Sequence, residues 1–296
     1  MKDVIRKARK SIKPFCVDGE KGFHLEDSDP SYAKGFDEKQ KKAIEEEMNK
    51  MISMIGKLQE RLYATNKFGI LLIFQGMDTA GKDGVIKHVM SGVNPQGCQV
   101  FSFKAPSMEE LEHDYLWRCN KRLPNRGQMG IFNRSYYEET LAVRVHPEFL
   151  DAQRLPNITK EIWQERFEDF RSYERYLNRN GIVVCKFFLN ISKGEQKERL
   201  LARLDTPEKH WKFSERDIVE RGFWKKYQKA YEDMIRNTST KNAPWFVIPA
   251  NKKWFARYLV SCVVVDALAK MELAYPVTNP AKKKKLAAAK RKLLRE

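Results

Sequence analysis

The stretch Gly69-Ile-Leu-Leu-Ile-Phe-Gln-Gly-Met-Asp-Thr-Ala-Gly-Lys-Asp83 decides the fold that we predict for this chain. An apolar run leads into a loop that matches G-x-x-x-x-G-K, and a helical pattern follows the lysine. Such glycines let backbone N–H groups turn toward an anion, while the lysine and the positive end of the helix dipole add to the attraction. We therefore predict a phosphate site formed by the loop at Gly76, Ala80 and Gly81, together with Lys82.

Two carboxylates distinguish this loop from the common pattern. The lysine is usually followed by Ser or Thr, whose hydroxyl ligates magnesium, but here Asp83 follows it and Asp78 lies inside the loop. A carboxylate stabilises bound phosphate where a cation lies between the two. We predict that Asp78, and less directly Asp83, holds Mg²⁺ against the phosphates, and that Lys87 on the next helix adds a cation. The alternative is a glycine turn that simply ends a strand, but strand, loop and helix come in the order that the phosphate site requires.

Composition indicates an acidic partner. The chain has 296 residues and a net charge of +17, which suits nucleic acid, a membrane surface or a phosphate polymer, although solvated helix faces and a basic C-terminal tail would also contribute to it. Five scattered cysteines without a C-x-x-C pair argue against a disulfide framework or a zinc site. We found no apolar stretch long enough to span a bilayer and no secretory signal, so we expect a cytoplasmic enzyme without a membrane partner.

Strands and helices alternate along the chain, which predicts the α/β class. We expect a P-loop kinase-like, doubly wound parallel sheet of about five strands, flanked by helices and carrying a helical lid. The predicted organisation is an extended N-terminal arm at 1–36, a phosphotransferase domain at 37–276 with the lid at about 193–225, and a basic helical tail at 277–296. One long helix is expected from the Ser107 capping box to about Arg122.

Two further segments are expected near the phosphate loop. The third predicted strand leads directly into Asn133-Arg-Ser-Tyr-Tyr-Glu138, and ligands of open parallel sheets bind beyond the carboxyl ends of the strands. Residues 205–225 are dense in cations and aromatic side chains, Lys212 among them, and indicate a lid that closes over phosphates. The alternative for 205–225 is a solvated surface helix.

The chain resembles the polyphosphate kinase 2 family over most of its length, from about the helix at 57–64 to the helix after Lys253. The resemblance rests on these motifs in order: Gly76-Met-Asp-Thr-Ala-Gly-Lys-Asp-Gly84, Asn94-Pro-Gln-Gly97, Asp114-Tyr-Leu-Trp117, Phe132-Asn-Arg-Ser-Tyr-Tyr-Glu138, Trp211-Lys-Phe-Ser214, Thr238-Ser-Thr240 and Ala243-Pro-Trp-Phe-Val-Ile-Pro-Ala250. It implies that inorganic polyphosphate donates a phosphoryl group to nucleotides with the help of Mg²⁺.

The resemblance also implies roles for individual residues. Asp78 corresponds to an aspartate that serves metal and phosphate binding, and Lys82 corresponds to the loop lysine. Arg134 corresponds to an arginine that faces phosphates, and Arg199 and Arg203 correspond to lid arginines that bind polyphosphate. The family tends to associate, so a homodimer or homotetramer is expected.

The nucleotide substrates are inferred from two residues. Members restricted to ADP resemble one another in carrying Asp at the position of Asn133, whereas Asn133 with Glu138 is similar to the subgroup that phosphorylates both AMP and ADP. We therefore predict adenine nucleotides, with guanine nucleotides left open, and a nucleotide site of Asn133, Arg134 and Glu138. The predicted catalytic groups are Asp78, Lys82, Arg134 and Glu138.

Two rival functions remain open from the residues alone. An ATP-dependent nucleoside or nucleotide kinase would use the same loop, although Asp83 and the large positive charge favour a longer polyanion. A nucleic-acid-binding P-loop protein would explain the charge, but the sequence shows no finger spacing and no aromatic RNA-binding motif. The basic tail is where we would expect any unspecific contact with nucleic acid.

Overall fold

The computed structural model describes residues 1–19, 22–33 and 38–296. Within these ranges, six strands occur at β1 Cys16–Val17, β2 Gly69–Gln75, β3 Cys98–Ser102, β4 Met129–Asn133, β5 Ile182–Asn190 and β6 Trp245–Pro249. In the same ranges, the α-helices are α1 Lys2–Ile12, α2 Glu38–Thr65, α3 Lys82–Val89, α4 Met108–Leu111, α5 Trp117–Asn120, α6 Ala142–Val145, α7 Ile162–Arg179, α8 Lys193–Leu204, α9 Glu215–Gly222, α10 Trp224–Thr238, α11 Lys253–Lys270 and α12 Pro280–Leu293.

The strands form one sheet in the order β1-β6-β5-β2-β4-β3. Five strands are parallel, as predicted, and the two-residue β1 adds an antiparallel edge beside β6 that the sequence did not reveal. Strand β2 is buried along its whole length because both of its faces are covered, which explains its unbroken apolar run. The chain reaches β4 on one side of β2 and β5 on the other, so the carboxyl end of β2 is a switch point where ligands bind.

Helices cover both faces of the sheet. Lys186 and Cys185 are neighbours on β5 and therefore point to opposite faces. Lys186 reaches Glu174 on α7 and Thr238 at the end of α10, whereas Cys185 lies within electrostatic range of Asp266 on α11. Helices α1, α2 and α3 pack with α11, and α6, α7 and α10 pack together. The predicted doubly wound architecture is confirmed.

The expectation of an extended N-terminal arm is wrong for the first twelve residues. Lys2–Ile12 is helix α1, which packs on α11. Val4, Ala8 and Ile12 recur at four-residue steps and form one apolar stripe, of which Ala8 and Ile12 are buried. Arg9 Nε donates to Asp266 on α11 at 2.8 Å, which ties the arm to the core. The rest of the predicted arm that falls at 20, 21 and 34–36 lies outside the described residues.

The predicted helix from Ser107 to about Arg122 is also wrong, because it is two short helices, α4 and α5. The capping box is present: the Glu110 backbone N–H donates to Ser107 Oγ at 3.2 Å, and the Ser107 N–H donates to Glu110 Oε2 at 2.9 Å. Asp114 then accepts a hydrogen bond from the Leu116 backbone N–H at 2.9 Å. This local bond favours a turn over a continued helix and separates α4 from α5.

The two remaining predicted segments are helical. The predicted lid consists of α8, a 3₁₀ helix at Pro207–Lys212 and α9. The tail forms α12, whose residues are all exposed. Across the part of the chain that the structure describes, no helix is both long and apolar enough to cross a membrane.

Candidate active site

The predicted phosphate loop follows the carboxyl end of β2 and bends in backbone conformations that favour glycine. Gly76 has φ +153° and Gly81 has φ +100°, and a Cβ on Gly76 would lie 2.9 Å from the Leu189 carbonyl oxygen. Thr79 inside the loop also has a positive φ of 63°. Gly81 precedes the first residue of α3, so the N-terminus of this helix faces the loop, as the motif predicts.

Lys82 is the first residue of α3 and is buried. Its Nζ donates to the Gly76 carbonyl oxygen at 2.7 Å and to that of Met77 at 3.3 Å. Burial away from water lowers the pKa of Lys82 to about 8, and the positive charge of Arg134 contributes to this lowering. The neighbouring Asp78 partly opposes this shift. A bound anion would therefore stabilise the charged form of this side chain.

Arg134 connects the second motif to the loop. It follows β4 with a left-handed backbone, φ +64°, and its N–H donates to the Phe74 carbonyl oxygen at 3.0 Å. Its guanidinium lies 2.5 Å from Asp78 Oδ1 and 3.5 Å from Glu138 Oε2. The negative charge of Glu138 contributes most to raising the pKa of Arg134, so the guanidinium stays charged. The segment 133–138 thus lies beside the loop, as predicted.

Asp83 lies on the outer side of the loop. Its carboxylate accepts a hydrogen bond from Asn133 Nδ2 at 2.7 Å and lies 3.7 Å from Lys212 Nζ in the predicted lid. Lys87 is exposed on α3 four residues after Asp83, on the same face of the helix but one turn farther from the loop. We call Asp78, Lys82, Asp83, Arg134 and Glu138 the phosphate-site cluster.

The two predicted lid arginines make protein contacts. Arg199 is nearly buried, and its guanidinium donates to four carbonyl oxygens and one carboxylate: Thr79 and Ala80 at 3.0 Å, Ala250 at 2.6 Å, Asn251 at 3.1 Å and Glu195 at 2.7 Å. This use of the side chain differs from the predicted phosphate contact, because Arg199 holds the loop from outside. Arg203 donates to the Lys212 carbonyl oxygen at 2.9 Å and to Asp217 Oδ2 at 3.0 Å, which connects the helices of the predicted lid.

Gln196 and Asp217 lie near the site and were not predicted from the sequence. Gln196 Nε2 donates to the Asp78 carbonyl oxygen at 3.0 Å, and Arg221 donates to Gln196 Oε1 at 2.7 Å. Burial and the nearby Asp78 charge raise the pKa of Asp217 in the lid. The sequence signal for Gln196 was the presence of a polar residue on the same face of α8 as the apolar Leu200, which is buried.

A second group of charged residues lies beneath the Arg134 turn and is fully buried. Tyr136 and Tyr137 donate to Glu174 Oε1 at 2.9 and 2.6 Å. Lys186 Nζ donates to Glu174 Oε2 at 2.7 Å, to the Tyr137 hydroxyl at 3.1 Å and to the Thr238 carbonyl oxygen at 2.8 Å. We call Tyr136, Tyr137, Glu174 and Lys186 the tyrosine–lysine cluster. A lysine inside the apolar run of β5 was the sequence signal for it.

The carboxylates at the loop fit a cation that is shared with phosphate. Within the described residues, no group of three or more His, Cys, Asp or Glu side chains is placed to hold a metal ion. Magnesium in phosphoryl-transfer sites is usually held by one or two carboxylates, with phosphates and waters as the other ligands. Asp78 and Asp83 both lie within electrostatic range of Lys82 and would supply such a donor set.

The loop, the buried lysine and the paired arginine at the switch point define a P-loop phosphotransferase. Residues 38–276 match the family described as Polyphosphate kinase 2 (PPK2). The chain belongs to this family, and the resemblance seen in its motifs is confirmed.

Relatives match nearly the whole chain. The ADP-polyphosphate phosphotransferase of Rhodopseudomonas palustris is 48% identical over 258 residues, which cover 86% of this chain and 89% of that protein. The AMP/ADP-polyphosphate phosphotransferase of Meiothermus ruber is 43% identical over 273 residues, which cover 92% of this chain and 98% of that protein. The crystal structure of Polyphosphate Kinase 2 from Arthrobacter aurescens TC1 superposes with a TM-score of 0.85 at 38% identity, covering 94% of this chain and 96% of that one.

Proposed function

We propose that this chain is a polyphosphate-dependent nucleotide kinase, which reversibly transfers the terminal phosphoryl group of inorganic polyphosphate to AMP and ADP with the help of Mg²⁺. The observation that carries the proposal is the pairing of Asp78 with Arg134 at 2.5 Å beside the buried Lys82. The names of the two relatives support the donor and the acceptors.

Charge neutralisation is the main task of this site. Donor and acceptor are both anions, and phosphoryl transfer depends on in-line positioning and on stabilising the charge of a loose transition state. Lys82 and Arg134 provide fixed positive charge beside the loop, and Lys212 provides more from the lid. Phosphate oxygens would take over the contacts that carboxylates and carbonyls now make with these cations.

The carboxylates of the site are assigned to the metal and to the orientation of cations. Asp78, assisted by Asp83, would hold Mg²⁺, and bound Mg²⁺ supplies neutralisation of charge on the phosphate oxygens. Glu138 lies 3.5 Å from the Arg134 guanidinium and keeps it charged and oriented toward the loop. The acceptor phosphate is already ionised near neutral pH, so the reaction needs no strong general base.

Asn133 is the residue that we assign to the choice between AMP and ADP. Its amide now donates to Asp83 next to Arg134, so it can donate to a nucleotide phosphate from the same position. An aspartate there would place a negative charge against that phosphate and against Asp83. Replacing Asn133 with Asp should therefore lower the rate with AMP relative to ADP, and an unchanged ratio would remove Asn133 from this role.

One assay tests the proposed function. Purified protein is given polyphosphate or ATP as donor, and AMP, ADP, GMP or GDP as acceptor, with Mg²⁺ present. We expect turnover with polyphosphate for both AMP and ADP. Turnover with ATP and none with polyphosphate would instead identify an ATP-dependent nucleotide kinase. The homo-oligomeric state and the cytoplasmic location stay predictions, and the former can be measured by light scattering.

A further inference from the structure

The C-terminal helix α12 is an exposed and strongly basic surface that the proposed active site does not use. All residues from 279 to 296 are exposed. The segment contains one carboxylate side chain, that of Glu296 at its end, and no aromatic residue. Its cationic residues are Lys282, Lys283, Lys284, Lys285, Lys290, Arg291, Lys292 and Arg295.

These cations have no acidic partner in the part of the chain that the structure describes, since none of them takes part in a salt bridge there. At the start of the helix, the Lys282 backbone N–H donates to the side-chain Oδ1 of Asn279 at 2.8 Å, so this bond leaves the Lys282 ammonium group uninvolved. Lys282 to Lys285 lie in the first turns of α12, where positive charge opposes the helix dipole and the like charges repel. A polyanion on this surface would relieve both effects.

We propose that α12 is a second binding surface for linear polyphosphate, which holds a part of the polymer distant from the reacting end. This inference rests on the proposed function. Four consecutive lysines are spaced about 100° apart around the helix and present charge in every direction. That arrangement suits a flexible anion without a preferred face. Proteins that bind single-stranded nucleic acid combine such charge with aromatic side chains on which bases stack. The segment has no aromatic residue, so it offers charge alone, which suits a polymer without bases.

The position of α12 makes the inference specific to long polymers. Thr65 Oγ1 at the end of α2 donates to the Ala274 carbonyl oxygen at 2.8 Å, so the chain enters the tail near the amino end of β2. The phosphate loop lies at the other end of β2, which has seven residues and is therefore about 20 Å long. Tripolyphosphate is shorter than this strand, whereas a long polymer can extend from the loop past the point where the tail begins.

The test compares two variants that each lose three positive charges. The first is the tail variant K283Q/K284Q/K285Q, and the control is K2Q/K10Q/K13Q, which changes exposed lysines at the other end of the chain. With long-chain polyphosphate we expect the KM of the tail variant to rise roughly tenfold, since a tethered second site raises apparent affinity. Its kcat should be unchanged, its KM for tripolyphosphate should be unchanged, and the control should match the unmodified protein throughout.

Two further measurements use the full chain. The slope of log KM against log salt concentration should become shallower by about 2 in the tail variant, by analogy with counterion release from a single strand. Backbone amides of α12 should exchange with deuterium more slowly when long-chain polyphosphate is added, because neutralised charge stabilises the helix. Tripolyphosphate should leave that exchange unchanged.

The outcomes separate this inference from the proposed function. If the unmodified protein shows no turnover with any polyphosphate, the function fails and the inference fails with it. If turnover is normal but the tail variant matches the control with long polymer, only the inference is overturned. Tail-dependent binding of an RNA oligonucleotide or of anionic lipid vesicles, without tail-dependent binding of polyphosphate, would also overturn it.

Discussion

The tyrosine–lysine cluster and the phosphate-site cluster lie close together at the Arg134 turn, yet their charged groups differ in burial and in hydrogen-bond partners. In the buried cluster, Lys186 and Glu174 are 0% and 2% exposed, and the three protons of the ammonium match three acceptors within 3.1 Å. In the phosphate-site cluster, Arg134 is 37% and Asp78 28% exposed, and both face the loop.

This difference separates support from reactivity. A buried pair whose partners are all inside the protein has no group left for a ligand, so the tyrosine–lysine cluster fixes the backbone that follows Arg134. Apart from the buried Lys82, the phosphate-site cluster consists of partly exposed cations and carboxylates that can exchange partners when phosphate and metal bind. Changes in the first cluster should therefore lower stability, and changes in the second should lower activity.

The largest effect is expected for Asp78→Asn. The substitution removes the carboxylate assigned to the metal but keeps its size, so kcat with polyphosphate and AMP should fall roughly 10²–10³-fold, the range seen when one charge-stabilising group is lost. The free energy of unfolding should change by less than about 1 kcal/mol, because the Arg134–Asp78 pair is partly exposed. Both are measured on one preparation, by steady-state kinetics and by urea unfolding.

Asp83→Asn is the matched control for that experiment. The Asp83 side chain is 69% exposed, and it is the second of the two predicted metal ligands. Its loss should cost less activity than the loss of Asp78. A larger cost at Asp83 would reverse the order of the two ligands, and nearly normal turnover in Asp78→Asn would refute the role of Asp78.

The next largest effect should be on stability, in Lys186→Met. The substitution leaves Glu174 buried without its cation, which typically costs about 3–5 kcal/mol. We expect a clear fall in the free energy of unfolding and in Tm, while protein that remains folded keeps a kcat within a few-fold of the original. Thermal and urea unfolding report the first effect, and kinetics well below Tm reports the second.

The double variant Lys186→Met with Glu174→Gln sharpens this result. It removes both charges, so it should recover part of the stability lost in Lys186→Met alone. If the single variant instead unfolds normally and loses its kcat, the tyrosine–lysine cluster belongs to the chemistry and the contrast between the clusters is wrong.

A smaller effect is expected from pH. The pKa of Lys82 is lowered to about 8 by burial, so the free enzyme loses this positive charge as pH rises through that value. Since kcat/KM reports the free enzyme, it should be level below about pH 8 and fall above it, approaching tenfold per pH unit. Bound phosphate raises the pKa of Lys82, so kcat should hold to higher pH. A kcat/KM that stays level up to about pH 10 would contradict the assignment.

The smallest effect is expected in the lid, for Lys212→Ala. Lys212 Nζ lies 3.7 Å from Asp83, and the two side chains are 41% and 69% exposed, so their pairing adds little to stability. The KM for polyphosphate should rise by about two- to fivefold, in line with the loss of one exposed charge contact, while Tm stays the same. Lys87→Ala is the control, because Lys87 lies on the same face of α3 as Asp83. A larger rise in KM for Lys87→Ala would place the polymer along α3 instead of under the lid.

Local patterns made most of the fold predictable. The unbroken apolar run of β2 indicated a strand buried on both faces, and the spacing of Gly76, Gly81 and Lys82 indicated the loop that follows it. The position of 133–138 beside that loop followed from the rule for parallel sheets, and the contact of Arg134 with Asp78 agrees with it.

What the sequence did not reveal depends on contacts between distant parts of the chain. Arg199 binds carbonyl oxygens about 120 and 50 positions away along the chain, and no local pattern marks such partners. Lys186 meets Glu174 only because β5 and α7 pack face to face. Helix α1 was missed because its charged residues outnumber the apolar residues of its narrow stripe. The stability of this helix therefore depends on its burial against α11.

The short strand β1 has a practical consequence for anyone who shortens this chain. Cys16 pairs with Phe246 and Val17 pairs with Trp245, and Ser239 Oγ donates to the Val17 carbonyl oxygen. Every residue of β6 is buried, so removal of β1 would make β6 an exposed, apolar edge strand with unpaired backbone groups. Exposed edge strands pair with strands of other molecules and promote aggregation. Truncated versions for crystallisation or immobilisation should therefore keep the first seventeen residues.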